Sequence, residues 1–172
     1  MRGKWAQGIV PRGFCWIIKD HLAVCERPGG CGVSHRKVRR QEEIIWIREN
    51  DFDVVVSLLS SEHNLHNYDD LVVRWAHEPF GGAEEGIGRL LQVINRLATL
   101  TANGGRIIVH REELNETVCG LMAAYLLATK LVTTGPHAIG AIEQIMERPL
   151  GTPGRRIVDL IVQHLDENQD AE

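Results

Sequence analysis

The sequence has no excess of positive charge, no long apolar run and no apolar leader at its start. Its 172 residues include 19 lysines and arginines against 23 aspartates and glutamates, a formal net charge of −4. That balance gives no general case for nucleic-acid binding. No apolar run reaches the ~18 residues of a membrane span, and residues 1–14 lack the apolar stretch of about 7–15 residues found in signal peptides. We therefore expect a cytoplasmic protein that binds neither nucleic acid nor membrane.

Internal repeats, low-complexity segments and linkers are also absent. A length of 172 residues with 44% hydrophobic and 24% charged residues fits one domain with a substantial core. We predict a single domain over residues 1–172, with residues 1–12 as a loose N-terminal arm. There are only four cysteines, and in the cytoplasm they should be reduced unless they bind metal or sense redox state.

Hydrophobic patterning predicts strands alternating with helices. The predicted strands are 14–18, 21–25, 53–59, 72–77 and 106–110, and the predicted helices are 35–50, 84–101, 116–131, 136–147 and 153–165. The inner face of the first helix is assigned to Val38, Ile45, Trp46 and also Ile44. This alternation implies an α/β sheet covered by helices on both faces. Its ligand site belongs at the carboxyl ends of the strands, as in the turn between residues 110 and 116.

One basic cluster stands out against the acidic background. Residues 35–40 read HRKVRR and open the first predicted helix. A solvated helix face is the interpretation that we favour, and binding of an anionic partner is the alternative.

Several segments along the chain occur in the order and spacing that are typical of one protein family. Residues 105–125 form a strand, a loop and a helix, and Pro136 and the Arg148-Pro149 pair follow at the expected distances. Residues 14–28, 45–59 and 75–80 match upstream. In this order and spacing the chain resembles the dual-specificity branch of the protein tyrosine phosphatases. The resemblance implies a central, mostly parallel sheet with helices on both faces.

The active-site motif of that family is degenerate here. The family pattern is His-Cys-x-x-Gly-x-x-Arg, and only its histidine is retained, as His110. Arg111 replaces the nucleophilic cysteine, and a guanidinium that stays protonated cannot be a nucleophile. Thr117 replaces the phosphate-binding arginine and lacks its charge and bidentate fork. The degenerate phosphate-loop positions are His110, Arg111, Glu112, Glu113, Leu114, Asn115, Glu116 and Thr117.

The general acid that the family keeps on a separate loop is missing as well. The corresponding loop, residues 77–82, reads HEPFGG, and no aspartate occurs between Asp70 and Asp159. The former acid loop is therefore represented by Glu78, Phe80 and Gly81. None of these positions holds the aspartate that protonates a leaving group.

The degenerate loop is also acidic. Glu112, Glu113 and Glu116 surround the single Arg111. Carboxylates at a helix N-terminus balance the dipole that a phosphate would otherwise balance. We expect a salt bridge from Arg111 to one of them to fill the pocket, with weak or no phosphate binding. The opposing interpretation is that Arg111 points inward and creates a new anion site.

Two further clusters are weak metal-site candidates. Cys25, Cys31 and His35 form a C-x5-C-x3-H pattern, and His63 and His66 precede the acidic run Asp69-Asp70. Either set could bind a metal, and the histidines could also act as acid and base. Ordinary packing and solvated loop residues are the favoured interpretation, so we expect no metal and no cofactor.

These observations favour a catalytically inactive phosphatase-like protein, a pseudophosphatase, that acts through a protein partner, through self-association or by regulation. The first alternative is an enzyme with altered, metal-dependent chemistry in the same cleft. The second is an active phosphatase with noncanonical residues. The balance is against enzymatic activity, because the nucleophile, the phosphate-binding arginine and the general acid are all absent.

Overall fold

Five strands form one sheet in the computed structural model, which describes residues 7–171 apart from the side chain of Ser34. The strands are β1 (Cys15–Ile18), β2 (Leu22–Glu26), β3 (Val54–Ser57), β4 (Trp75–His77) and β5 (Ile107–Arg111). Their order in the sheet is β1-β2-β5-β3-β4. The β1–β2 hairpin is antiparallel, and all other pairs are parallel. The predicted α/β class with a mostly parallel sheet is confirmed.

Six α-helices accompany the strands in the described part of the chain. They are α1 (Lys37–Glu49), α2 (His66–Asp70), α3 (Gly86–Thr101), α4 (Glu116–Ala128), α5 (Gly135–Met146) and α6 (Gly151–Gln169). Helix α5 begins where it was predicted, because Thr134 caps it by accepting a hydrogen bond from the backbone N–H of His137. Helix α2 lies in a segment predicted to be a polar loop, and β4 is shorter than the predicted strand over 72–77.

The described residues fall into two compact units. The sheet unit, residues 7–79 and 100–114, contains all five strands with α1 and α2. The helical unit, residues 80–99 and 115–171, contains most of α3 and all of α4, α5 and α6. Both units are discontinuous in sequence. The expectation of a single domain over the whole chain stays a prediction.

The core of the sheet unit forms between the sheet and α1. Ile44 and Ile47 of α1 are buried in one cluster with Ala23, Val55 and Ile108 from three different strands. Aromatic rings extend this cluster, with Trp16 stacked on Phe52 at a centroid distance of 5.4 Å. Burial of this apolar surface is the main stabilisation that holds α1 on the sheet.

The predicted inner face of α1 was correct for Ile44, which is buried, and wrong for Val38. The buried residues are Arg40, Glu43, Ile44 and Ile47, which follow the spacing of one helix face. Val38, assigned to the core, is 70% exposed. The error arose because two charged residues occupy buried positions of the true face.

The N-terminal arm is attached to the sheet unit wherever the structure describes it. The backbone N–H of Ile9 donates to the carbonyl of Glu42 at 3.0 Å, and the carbonyl of Arg12 accepts from Glu26 at 2.9 Å. Pro11 is buried. Residues 7–12 are therefore not the loose arm that was expected, and residues 1–6 lie outside the described residues.

The helical unit is built around α4, which is buried on nearly every side from Thr117 to Leu127. It approaches α6 closely through two glycines. A Cβ added to Gly120 would lie only 2.7 Å from the Cα of Gly154, so neither position has room for a side chain. Among the helices described, none is long and apolar enough to cross a membrane.

Candidate functional site

His110 lies in β5, one residue before the strand ends, and is only 1% exposed. Its Nε2 shares a hydrogen bond of 3.1 Å with the Tyr68 hydroxyl, whereas Nδ1 has no partner among the residues described. Burial lowers the pKa of His110 from 6.5 to about 4; the backbone of Arg111 opposes this shift, and the positive charge of Arg27 adds to it. The ring is therefore neutral at pH 7. It anchors the strand end through Tyr68.

The predicted salt bridge from Arg111 to a neighbouring glutamate stays a prediction. Arg111 ends β5 next to Glu26 of β2. The side chains of Glu112 and Glu113 are exposed. The carbonyl of Glu112 accepts a hydrogen bond from the backbone of Arg27 at 3.3 Å. The Glu113 carboxylate accepts a long hydrogen bond of 3.9 Å from the Cys31 thiol.

Leu114 fills the position where the phosphatase motif has a glycine. Its side chain packs on Gly13, where an added Cβ would lie 2.8 Å from the Leu114 Cδ1. Gly13 has a φ of +70°, so its lack of a side chain serves both the turn and this contact. The strand end is therefore closed by apolar packing.

The start of α4 satisfies its own backbone. Asn115 is the N-cap, and its Oδ1 accepts from the Val118 N–H at 3.2 Å. Glu116 adds a carboxylate in the first turn. Its carboxylate lies against Gly151, because a Cβ at Gly151 would collide with it. A helix N-terminus of this kind has one amide already bonded and its dipole already balanced by negative charge.

Thr117 and the former acid loop carry no acid–base pair. Thr117 is 7% exposed, and its hydroxyl lies 3.8 Å from the place of a Cβ on Gly82. Phe80, at the expected position of the acid, is only 2% exposed. The N–H of Gly81 donates to the Glu85 carboxylate at 2.8 Å. Glu78, in the sheet unit, donates its backbone N–H to the carbonyl of Ser57 at 2.9 Å.

The metal-site candidates are not brought together as ligands. Within residues 7–171 no group of three or more His, Cys, Asp or Glu side chains is placed to hold a metal ion. Cys25 is fully buried in β2, where burial and the nearby Glu43 and Glu26 raise the pKa of its thiol.

The loop around His63 and His66 contributes several hydrogen bonds to the structure. Asp69 accepts a hydrogen bond from the Trp75 indole at 2.9 Å, and Tyr68 is the buried partner of His110. His66 begins α2 with an exposed side chain. His63 is also exposed, and its carbonyl accepts from the Arg27 guanidinium at 3.3 Å.

Sequence reasoning missed a polar arrangement at the start of α1. The buried carboxylate of Glu43 accepts hydrogen bonds from Arg39 and from the Gly29 backbone N–H. Arg40, one residue beyond Arg39, is 8% exposed. The sequence does contain a signal, because residues 40, 43, 44 and 47 have the spacing of one helix face. A search for apolar residues at that spacing misses this face, since two of the four residues are charged.

No protein-family model and no curated protein matches the chain. Solved structures do match it. A kinase-associated phosphatase whose catalytic cysteine is replaced by serine matches with a TM-score of 0.70 and 15% identity, over 92% of this chain and 96% of that one. The phosphatase Tk-PTP in its active form matches with a TM-score of 0.65 and 15% identity, over 90% and 97% of the two chains.

Human DUSP28 is a further match, with a TM-score of 0.65 and 13% identity, over 94% of this chain and 99% of that chain. Structural similarity at identities this low shows the fold and does not transfer an activity, which must be argued from the residues of the site. The predicted resemblance is confirmed at this level. The chain has the fold of the dual-specificity and protein tyrosine phosphatases.

Proposed function

We propose that this chain is a catalytically inactive phosphatase-like domain that acts by binding a protein, either a partner or a second copy of itself. The observation that carries the proposal is the start of α4. There Asn115 bonds the amide of Val118 and Glu116 supplies negative charge in the first turn. In a cysteine phosphatase the same helix start must instead attract a phosphoryl dianion.

The lack of a nucleophile supports the proposal. Arg111 stands at the nucleophile position and stays protonated. Cys119 is the nearest thiol along the chain, but it lies inside α4 and is 1% exposed. A buried thiol of this kind packs like a small apolar side chain and does not attack phosphorus.

The transition state would also lack stabilisation. Charge on the transferred phosphoryl group requires a positive, bidentate donor such as arginine. Thr117 at that position is neutral, and the neighbouring Glu116 repels an anionic substrate. The buried Phe80 in the former acid loop supplies no proton to a leaving group.

Turnover by the purified protein on a panel of small phosphomonoesters, with and without zinc or manganese, tests the proposal. We expect no rate above that of a mock preparation, for the wild type and for Arg111→Cys alike, because the single change leaves Thr117 and the acid loop as they are. Sedimentation velocity on the same sample distinguishes self-association from a monomer that needs another partner.

A positive rate would overturn the proposal if this protein, and not a contaminating enzyme, produces it. The control is the His63→Ala/His66→Ala double variant, which tests the histidine loop as a new active site. Metal-dependent turnover lost in that variant would show an enzyme with altered chemistry. Appreciable turnover by Arg111→Cys alone would show that the degenerate loop still binds substrate.

A further inference from the structure

An open cavity of about 430 Å³ lies within the sheet unit. It is formed by the loop after β2, the first turn of α1 and the loop around His63. Its ionisable lining residues are Arg27, Cys31, His35, Lys37, Arg40 and His63. The carboxylate of Glu113 lies beside this lining, where its Oε1 accepts from the Cys31 thiol at 3.9 Å. A cavity lined by three permanent positive charges and two histidines attracts anions.

Arg40 is the buried charge of this cavity. Its Nη1 lies 2.9 Å from His35 Nε2, and its Nε is buried without a hydrogen-bond partner among the residues described. The nearest buried acid, Glu43, is already bonded to Arg39 and to the Gly29 N–H. Burial and the neighbouring Arg27 lower the pKa of Arg40. A buried guanidinium without a counter-ion is costly, and a bound anion would supply that counter-ion.

The surroundings of His35 show the same positive field. Besides burial, every group that lowers its pKa is cationic or a second histidine, with Arg40 and Arg27 the largest contributors. Helix α1 starts here without a side-chain cap and without an acidic residue in its first turn. Its N-terminal dipole therefore adds to the positive charge instead of being balanced.

We propose that this cavity binds a phosphate group, either as free orthophosphate or as a phosphate monoester. A dianion would pair with the guanidinium groups of Arg27 and Arg40 and with the ammonium group of Lys37, which together match the geometry and charge of phosphate oxygens. The proposal goes beyond the proposed function, because it concerns residues outside segment 110–117 and holds whether or not that segment is inactive.

Isothermal titration calorimetry with inorganic phosphate and with phenyl phosphate tests the site, and acetate is the control anion. Lys37 is exposed, so Lys37→Glu should fold normally and weaken phosphate binding by about tenfold or more. The matched control is Lys19→Glu in the β1–β2 turn, which changes the net charge equally and should leave the affinity unchanged. Tighter binding of phenyl phosphate than of inorganic phosphate would identify the monoester as the ligand.

Arg40→Met is the second variant. It keeps the length of the side chain and removes the unpaired charge, so we expect phosphate binding to be lost while the melting temperature stays the same or rises. The site is refuted if neither phosphate probe binds more tightly than acetate, or if Lys19→Glu weakens binding as much as Lys37→Glu does. It is also refuted if Arg111→Ala abolishes binding, because the ligand would then occupy the segment after β5. Enzymatic turnover would overturn the proposed function without bearing on phosphate binding at this cavity. Failure of phosphate to bind here would refute the cavity proposal without bearing on the proposed lack of activity.

Discussion

Two strand-to-helix connections in this protein carry opposite charge. The connection from β5 to α4 contains two glutamates, a third begins α4, and the helix is capped by Asn115. The connection from β2 to α1 contains Arg27, His35 and Arg36, and its helix has neither a side-chain cap nor an acidic first turn. Both follow parallel strands of one sheet, so the difference lies in the residues and not in the topology.

Under the two proposals, the fold keeps its architecture while its anion site changes position. At a helix N-terminus, unpaired amides and the dipole favour negative charge unless the chain supplies its own. After β5 the chain supplies Asn115 and Glu116. After β2 the buried acid Glu43 is bonded to Arg39 and Gly29, and Arg40 has no carboxylate partner among the residues described. The experiments below test whether each connection depends on these groups.

The largest effect is expected from Glu43→Ala, which removes the carboxylate that ties the loop after β2 to α1. This change leaves Arg39 without its partner and the Gly29 N–H unbonded. Breaking such a buried pair should lower the free energy of unfolding by about 3 kcal/mol. Urea denaturation measures it. Glu42→Ala, the neighbouring and more exposed glutamate, is the control, and an equal loss in both variants would show that the Glu43 contacts are not special.

The next largest effect concerns the β5 side and depends on pH. The pKa of His110 is lowered from 6.5 to about 4 by burial, so the unfolded chain takes up this proton before the folded protein does as the pH falls. The stability from the neutral ring is complete above pH 6.5 and is lost between pH 6.5 and about 4. The loss amounts to roughly 3 kcal/mol.

Denaturant unfolding at a series of pH values between 4 and 7 tests this contribution. In His110→Gln the slope of stability against pH should become shallower, and His35, whose pKa burial also lowers, accounts for part of the slope that remains. His66→Gln at an exposed position is the matched control. An unchanged slope in His110→Gln would show that the ring is hydrated or charged in the folded protein.

Most of the fold could be predicted from local patterns, because the runs of β-branched residues and the helix caps act over short distances. Asn115 and Thr134 are examples, since each begins a helix close to its predicted start. Helix α2 could not be predicted in this way. It is held by the contact of Tyr68 with His110, which are distant in sequence, so no local pattern reports it.

The candidate site divides along the same line. The loss of the phosphatase motif is read directly from residues 110–117, because that chemistry depends on residue type at fixed spacing. The cavity at α1 depends on the packing that brings Arg27, Arg40 and His63 together from separate segments. Only the basic run 35–40 was visible in the sequence, and its alternative interpretation as an anion-binding segment is the one that the further proposal takes up.

An intermediate effect is expected at Gly151, which the Glu116 carboxylate contacts. Gly151 has a φ of +70°, and an added Cβ would meet that carboxylate. Gly151→Ala should therefore cost about 2 kcal/mol, from backbone strain and collision together. Gly86→Ala, where φ is +83° and nothing lies within 4 Å of the new Cβ, isolates the strain.

A double-mutant cycle completes this test of where Glu116 lies. Glu116→Ala should remove the collision part of the Gly151→Ala cost and leave the strain part, giving a coupling energy of about 1 kcal/mol. Strict additivity would mean that the carboxylate is elsewhere in solution. The Glu116 carboxylate would then be free to balance the N-terminal dipole of α4. The difference in charge between the two helix starts would be larger as a result.

The smallest effect is expected at the cap itself. Asn115→Ala removes the acceptor of the Val118 N–H and should lower the free energy of unfolding by about 1 kcal/mol. Asn115→Asp keeps an acceptor and should be nearly neutral, and Thr134→Ala removes the equivalent cap of α5 as a reference. The informative measurement is phosphate titration of Asn115→Ala. The freed amide alone should not create phosphate affinity, because Glu116 remains in the first turn. If the variant gains phosphate affinity, then the Asn115 hydrogen bond, and not the negative charge of Glu116, prevents anion binding at the N-terminus of α4. Asn115 would then account for the difference between the two connections.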